Sequence, residues 1–156
     1  MEYGILAWGA SSYKGIKKIK QLQKRCIRII DKKNWSIHCD PIFAKYECLK
    51  FEDLHFTNAI TFMYKYTNSL LPNSFEGMFN SLSEPNRTMG YKYEKVMHKY
   101  LENFPNVSLV KLWNELPLHI KQTLTLSNFK RKAKLMKIDE YKSFSCHDNS
   151  CYSCRH

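Results

Sequence analysis

The chain has 156 residues, 44% of them hydrophobic and 14% aromatic, with 25 Lys+Arg against 14 Asp+Glu and a formal charge of +11. That length fits one domain with a short tail, the composition is too apolar for wholesale disorder, and only 5 Gly and 5 Pro exclude collagen-like and glycine-rich architectures. The charge favours a polyanionic partner, nucleic acid or an anionic membrane surface. The longest apolar run near the start, Ile5-Leu6-Ala7-Trp8, falls far short of the roughly 20 residues of a membrane span. No basic stretch leading into an apolar one marks a secretory signal. An intracellular location, nucleus or cytoplasm, is therefore expected, and Asn-x-Ser/Thr matches at Asn34, Asn86 and Asn106 are read as chance.

In chain order, Tyr3 to Gly9 is short and apolar, a strand or the tail of a helix. Its uncapped start predicts that the chain is cut from something longer, with Met1 an internal methionine. From Lys14 to Lys33 the spacing is helical. Ile16, Ile19, Leu22, Cys26, Ile29 and Ile30 recur at three and four residues, and this apolar face is expected to pack. Lys14, Lys17, Lys18, Lys24, Arg25, Arg28 and Lys32 centre nearly half a turn away at about 100° per residue, and Asp31 is the one acid in the stretch. Asn34 to Cys39 breaks the period and reads as a loop.

Asp40-Pro41 predicts a helix start, with Asp as the cap and Pro at the first helical position, where its missing N–H costs nothing. A short helix over 41–48 and a longer one over about 52–68 follow. The second places Phe56, Ala59, Ile60, Met63 and Tyr66 on one face and Glu52 and Asp53 at its positive end. Residues 73 to 107 are the least regular, with one helical turn expected over 74–79 and a short helix near 92–101. Ser108 begins another helix, which must end near Leu116 because Pro117 disfavours helix in the residue before it. Ser127 is expected to cap a last helix over 128–141. The fold class is mostly α: a small multi-helix bundle with an irregular middle section and a Cys-rich tail.

Catalytic patterns are missing. The chain has no phosphate-binding or dinucleotide-binding glycine loop, no G-x-S-x-G and no H-E-x-x-H. Two-metal nucleotidyl transfer needs several converging carboxylates, and the adjacent acids Glu52-Asp53 and Asp139-Glu140 are explained by helix ends. The basic helix is the stronger signal. Lysines and arginines of one sign along about 25 Å, at roughly 1.5 Å per residue, can track a phosphate backbone. Membrane-surface and calmodulin-binding helices share the pattern but usually carry Trp or Phe on the apolar face, whereas this face is Ile, Leu and Cys. A second basic run, Lys130, Arg131 and Lys134, lies on the last helix.

The six cysteines form two groups. Cys26, Cys39 and Cys48 read as small buried hydrophobes. Cys146, Cys151 and Cys154 crowd the end with a Cys-x4-Cys-x2-Cys spacing that suits one structural zinc ion, the fourth ligand being His156 or His147. His156 is the favoured ligand. The competing reading is a tail with free thiols.

The order of these features resembles the C-terminal part of the reverse transcriptases of non-LTR retrotransposons, the jockey-like long interspersed elements. The stretches that carry it are Tyr3–Gly9, Ile19–Ile30, Phe62-Met-Tyr-Lys65, Asn86-Arg-Thr88, Leu112-Trp-Asn-Glu-Leu-Pro117 with Ile120-Lys121, Ser127-Asn-Phe-Lys130 and the Cys-rich end. The resemblance implies three parts: the end of a polymerase thumb over 1–33, a helical linker domain over 34–142, and a Cys/His tail over 143–156 that engages nucleic acid. The Tyr-x-Asp-Asp motif and the endonuclease of that family have no counterpart in these residues. The expected function is thus non-catalytic, sequence-independent binding of RNA or DNA, without polymerase activity. A helical protein-interaction module with no nucleic-acid role is the alternative.

Overall fold

The computed structural model describes residues 4–8, 13–79, 90–92 and 105–143. Seven α-helices occur among them: α1 (Ile5–Trp8), α2 (Tyr13–Ile30), α3 (Asp40–Lys45), α4 (Phe51–Thr67), α5 (Pro105–Glu115), α6 (Leu118–Lys121) and α7 (Leu126–Ser143), with one 3-10 turn at Asn73–Phe75. No β-strand occurs among the described residues. The chain is mostly helical, as its periodicity predicts. Of the expected helix over 92–101 only Lys92 is described, and it is not helical; of the expected tail over 143–156 only Ser143 is described, as the end of α7.

Two compact units divide the chain, one of residues 1–55 with 134–156, the other of residues 56–133. In the first, Ile27 of α2, Cys39, Ile42 and Phe43 at α3, and Ile138 and Tyr141 of α7 form a buried cluster, with Ala44 and Leu49 against it. Phe43 meets Tyr141 edge-on at 6.4 Å. Polar side chains close the start of α4, whose first N–H groups have no intrahelical partner. Gln23 accepts from the Phe51 N–H at 2.9 Å and donates to the Leu49 carbonyl at 2.8 Å. The Tyr141 hydroxyl accepts from the Lys50 N–H at 3.1 Å and donates to Asp53.

In the second unit α4 buries Ala59, Ile60, Met63 and Tyr64. Tyr64 stacks on Phe129 at 4.3 Å, and Trp113, fully buried, lies 6.2 Å from the same ring. The Tyr64 hydroxyl donates to the Thr123 carbonyl at 2.7 Å. A second aromatic group joins Tyr66, Phe79 and Tyr91 at 4.8 to 6.1 Å. Asn114 holds both backbone groups of Tyr91, at 3.0 and 2.9 Å. Lys121 is buried, donating to the Asn114 carbonyl at 3.3 Å with its ammonium over the Trp113 ring, and burial lowers its pKa.

Three sequence expectations are corrected. Asp40 does not cap α3. Cys39 occupies that position without a side-chain cap, and the Asp40 carboxylate pairs with Lys50 at 2.7 Å instead. At α7 the residue before the first turn is Thr125, whose hydroxyl accepts from the Asn128 N–H at 3.4 Å, so Ser127 lies inside the helix. The third correction concerns the packed face of α2. Ile16 and Ile19 are half-buried, but Leu22, Cys26, Ile29 and Ile30 are exposed, Ile29 by 75%. The side turned inward carries Ile27, Gln23 and Arg28, with the Lys20 ammonium paired to Glu52. Among the described residues, Ile27, Gln23, Arg28 and Lys20 hold the inward side, while the C-terminal half of the expected apolar stripe faces solvent.

Candidate nucleic-acid interface

α2 is 18 residues long, about 27 Å at 1.5 Å per residue. Its C-terminal end is set by a left-handed residue, Lys32 (φ 52°). There the Lys33 N–H reaches the Arg28 carbonyl at 2.9 Å and the Lys32 N–H the Ile29 carbonyl at 3.1 Å, a paired closure that satisfies carbonyls the helix leaves open.

The predicted cations take different roles. Lys17, Lys18 and Arg25 are exposed, and among the described residues none of the three is held in an ion pair. Lys24 is half-buried, its carbonyl receiving the Cys39 thiol at 3.9 Å. Arg28 is only 8% exposed and donates from Nε to the Ile37 carbonyl at 3.0 Å, so it holds the loop after the helix. For Lys14 only the backbone is described. On α7, Lys130 and Arg131 are exposed in the second unit, and Lys134 is half-buried in the first.

Among the described carboxylates of the first unit, all but that of the exposed Glu47 are held by partners. Asp31 is held by Lys45 and by the Tyr46 hydroxyl at 3.0 Å, and chiefly the Lys45 hydrogen bond lowers its pKa. Glu52 pairs with Lys20, Asp53 with Tyr141 and with Lys137 at 3.8 Å, Glu140 with Lys137 at 2.9 Å, and Asp139 with Lys142 at 2.9 Å. Burial raises the Asp53 pKa against the opposing Tyr141 hydrogen bond, and burial with the Asp53 contact raises that of Tyr141. Among the described residues of this unit the paired acids hold Lys20, Lys45, Lys50, Lys137 and Lys142, and none of them holds Lys17, Lys18 or Arg25.

Reading Cys26, Cys39 and Cys48 as buried hydrophobes holds for Cys39 alone. Cys26 and Cys48 are exposed. Burial raises the Cys39 thiol pKa, which disfavours its nucleophilic form. No group of three His, Cys, Asp or Glu side chains that could hold a metal ion occurs among the described residues. The proposed zinc ligands Cys146, Cys151, Cys154 and His156 lie outside them.

Sequence reasoning did not single out Trp35. It stands 67% exposed in the loop after α2, two residues from Lys33. The available signal was an aromatic residue following a Lys-Lys pair in a segment without apolar period. Compared with known proteins, the chain matches no family model, and no curated protein and no solved structure proved similar to it.

Proposed function

We propose that this chain is a non-catalytic nucleic-acid-binding module derived from the C-terminal part of a non-LTR retrotransposon reverse transcriptase, contacting RNA or DNA without sequence preference. The observation that carries the binding is the cation surface of α2: Lys17, Lys18 and Arg25 face solvent, and the ion-paired acids among the described residues of the same unit hold other lysines. Such a surface gains affinity by releasing counterions from phosphates. The retrotransposon origin rests on the order of the sequence stretches given above.

The test replaces Lys17, Lys18 and Arg25 together by Gln. Arg28 is left in place, because its loss would free the loop it holds. Each substitution is expected to leave stability within about 0.5 kcal/mol. On duplex DNA the slope of log affinity against log salt should shrink by up to about 0.9 per lost contact. An unchanged slope would move the contact to other cations, Lys130 and Arg131 first. The exposed apolar stripe of α2 favours a second reading, a protein-interaction module. That reading predicts binding whose affinity hardly falls with salt.

A further inference from the structure

We infer that Trp35 is a base-stacking platform, which makes the ligand of this surface single-stranded rather than duplex nucleic acid. The inference rests on the nucleic-acid reading above and names its substrate class.

Tryptophan is highly buried in most proteins, yet this ring is 67% exposed. Among the described residues it stacks on no other aromatic ring and carries no cation. The loop that presents it is tied at several points. Arg28 Nε reaches the Ile37 carbonyl at 3.0 Å, and the Ile37 N–H closes a turn on the Asn34 carbonyl at 3.2 Å. The Trp35 N–H itself bonds the Asn34 side-chain oxygen at 2.7 Å. On the helix side, Asp31 is fixed by Lys45 and Tyr46. The indole is therefore presented on an anchored backbone, which lowers the ordering cost of a contact.

The charges beside the ring suit a nucleotide. Lys32 and Lys33 are exposed and lie within three residues of Trp35, no more than about 11 Å along the chain at 3.8 Å per residue. From Lys32 to Cys39 the sequence contains no acid, and Asp31 before it is engaged by Lys45. An exposed flat apolar ring with two exposed lysines within three residues of it is a combination suited to gripping an unpaired base and its phosphates. In a duplex the faces of internal bases are covered by their neighbours and would offer Trp35 nothing to stack on.

The experiment uses the full chain with a 15-nucleotide oligo(dT), an oligo(U) of equal length and a 15-base-pair duplex, by fluorescence anisotropy over a salt series. Wild type should bind the single strands more tightly than the duplex. Trp35→Ala should weaken single-strand binding about 5- to 100-fold with an unchanged salt slope, and Trp35→Phe should recover most of the loss. Lys32→Gln with Lys33→Gln should instead reduce the slope. Intrinsic fluorescence gives an independent reading through the difference between wild type and Trp35→Phe, which keeps Trp8 and the fully buried Trp113. The quenching by oligo(dT) that disappears in Trp35→Phe belongs to Trp35. Wild-type affinity and slope in Trp35→Ala, or equal binding of duplex and single strand, would overturn the stacking while leaving nucleic-acid binding in place. No binding of any probe would overturn both readings. Concentration-dependent quenching without nucleic acid would assign the ring to a contact between copies of the chain and overturn the platform.

Discussion

Thr123 shows what a single atom can cost. Its hydroxyl is buried with no hydrogen-bond partner among the described residues, while its carbonyl serves the Tyr64 hydroxyl at 2.7 Å. A buried hydroxyl left without a partner costs roughly 1–3 kcal/mol, and valine has the same shape without the oxygen. Thr123→Val is expected to raise stability by about 1 kcal/mol, read as a higher urea midpoint at unchanged slope. Thr123→Ser, which keeps the hydroxyl and loses the methyl, should lower it. Arg28 carries the complementary lesson. By position it sits among the cations proposed to contact phosphate, and the sequence offers no sign that its guanidinium turns onto the Ile37 carbonyl. The side chain is long enough to reach backbone nine residues away, and local periodicity does not register such contacts.

At the scale of the element, α4 and α7 were legible because a partner covers their apolar faces. Of the expected faces, Ala59, Ile60 and Met63 on α4 and Phe129, Ala133 and Ile138 on α7 are buried, Phe56, Tyr66 and Met136 are half-buried, and Leu135 is exposed. α2 has the same kind of pattern, yet there the spacing identified an apolar stripe without saying whether anything covers it. Its buried side is held by Gln23 and Arg28, residues that periodicity assigns to water. The start of α3 was misread for a related reason: Asp40 finds Lys50 ten residues on, a stronger partner than a local N–H. Helix ends show a further regularity. Lys32, Glu47 and Ser69 all take positive φ, 52°, 48° and 53°. Beyond each, a residue reaches back five positions: Lys33 to Arg28, Cys48 to Phe43 and Leu70 to Lys65, at 2.8 to 3.0 Å. Glycine is the usual occupant because a Cβ is disfavoured there by roughly 1–2 kcal/mol. Glu47→Gly and Ser69→Gly should therefore each stabilise by about 0.5–1 kcal/mol, the remainder being lost to the freer unfolded chain. Thermal unfolding of the single and double variants checks this, and additive gains are expected because the two sites lie in different units.

For the whole molecule, charge couples stability to pH. Burial alone lowers the His55 pKa below its ordinary 6.5. Burial also lowers that of His38 against the pull of Asp40, and His38 Nδ1 accepts the Asp40 N–H at 3.2 Å, a bond only the unprotonated nitrogen can make. Between these folded values and 6.5 the unfolded chain binds more protons than the folded one. Stability therefore rises with pH through that window and falls as the solution is acidified. The urea midpoint should drop from pH 7 to pH 5, and His55→Gln should make the drop shallower, as should His38→Gln by a separate increment. The protons taken up also add to a formal charge already at +11. That same charge governs how the exposed stripe of α2 behaves in solution. Leu22, Ile29 and Ile30 are more than half exposed beside Lys18 and Arg25, so mutual repulsion keeps copies of the chain apart while the ionic atmosphere is thin. The screening length shrinks from about 30 Å at 0.01 M salt to about 3 Å at 1 M, and strongly hydrated anions such as sulfate further favour apolar contact. Salt thus pulls the two bands of one helix in opposite directions, loosening a polyanion from the cations while drawing the aliphatic stripes of separate molecules together. The protein's colloidal behaviour should follow from that opposition: freely dispersed in dilute chloride, clustering as sulfate is added.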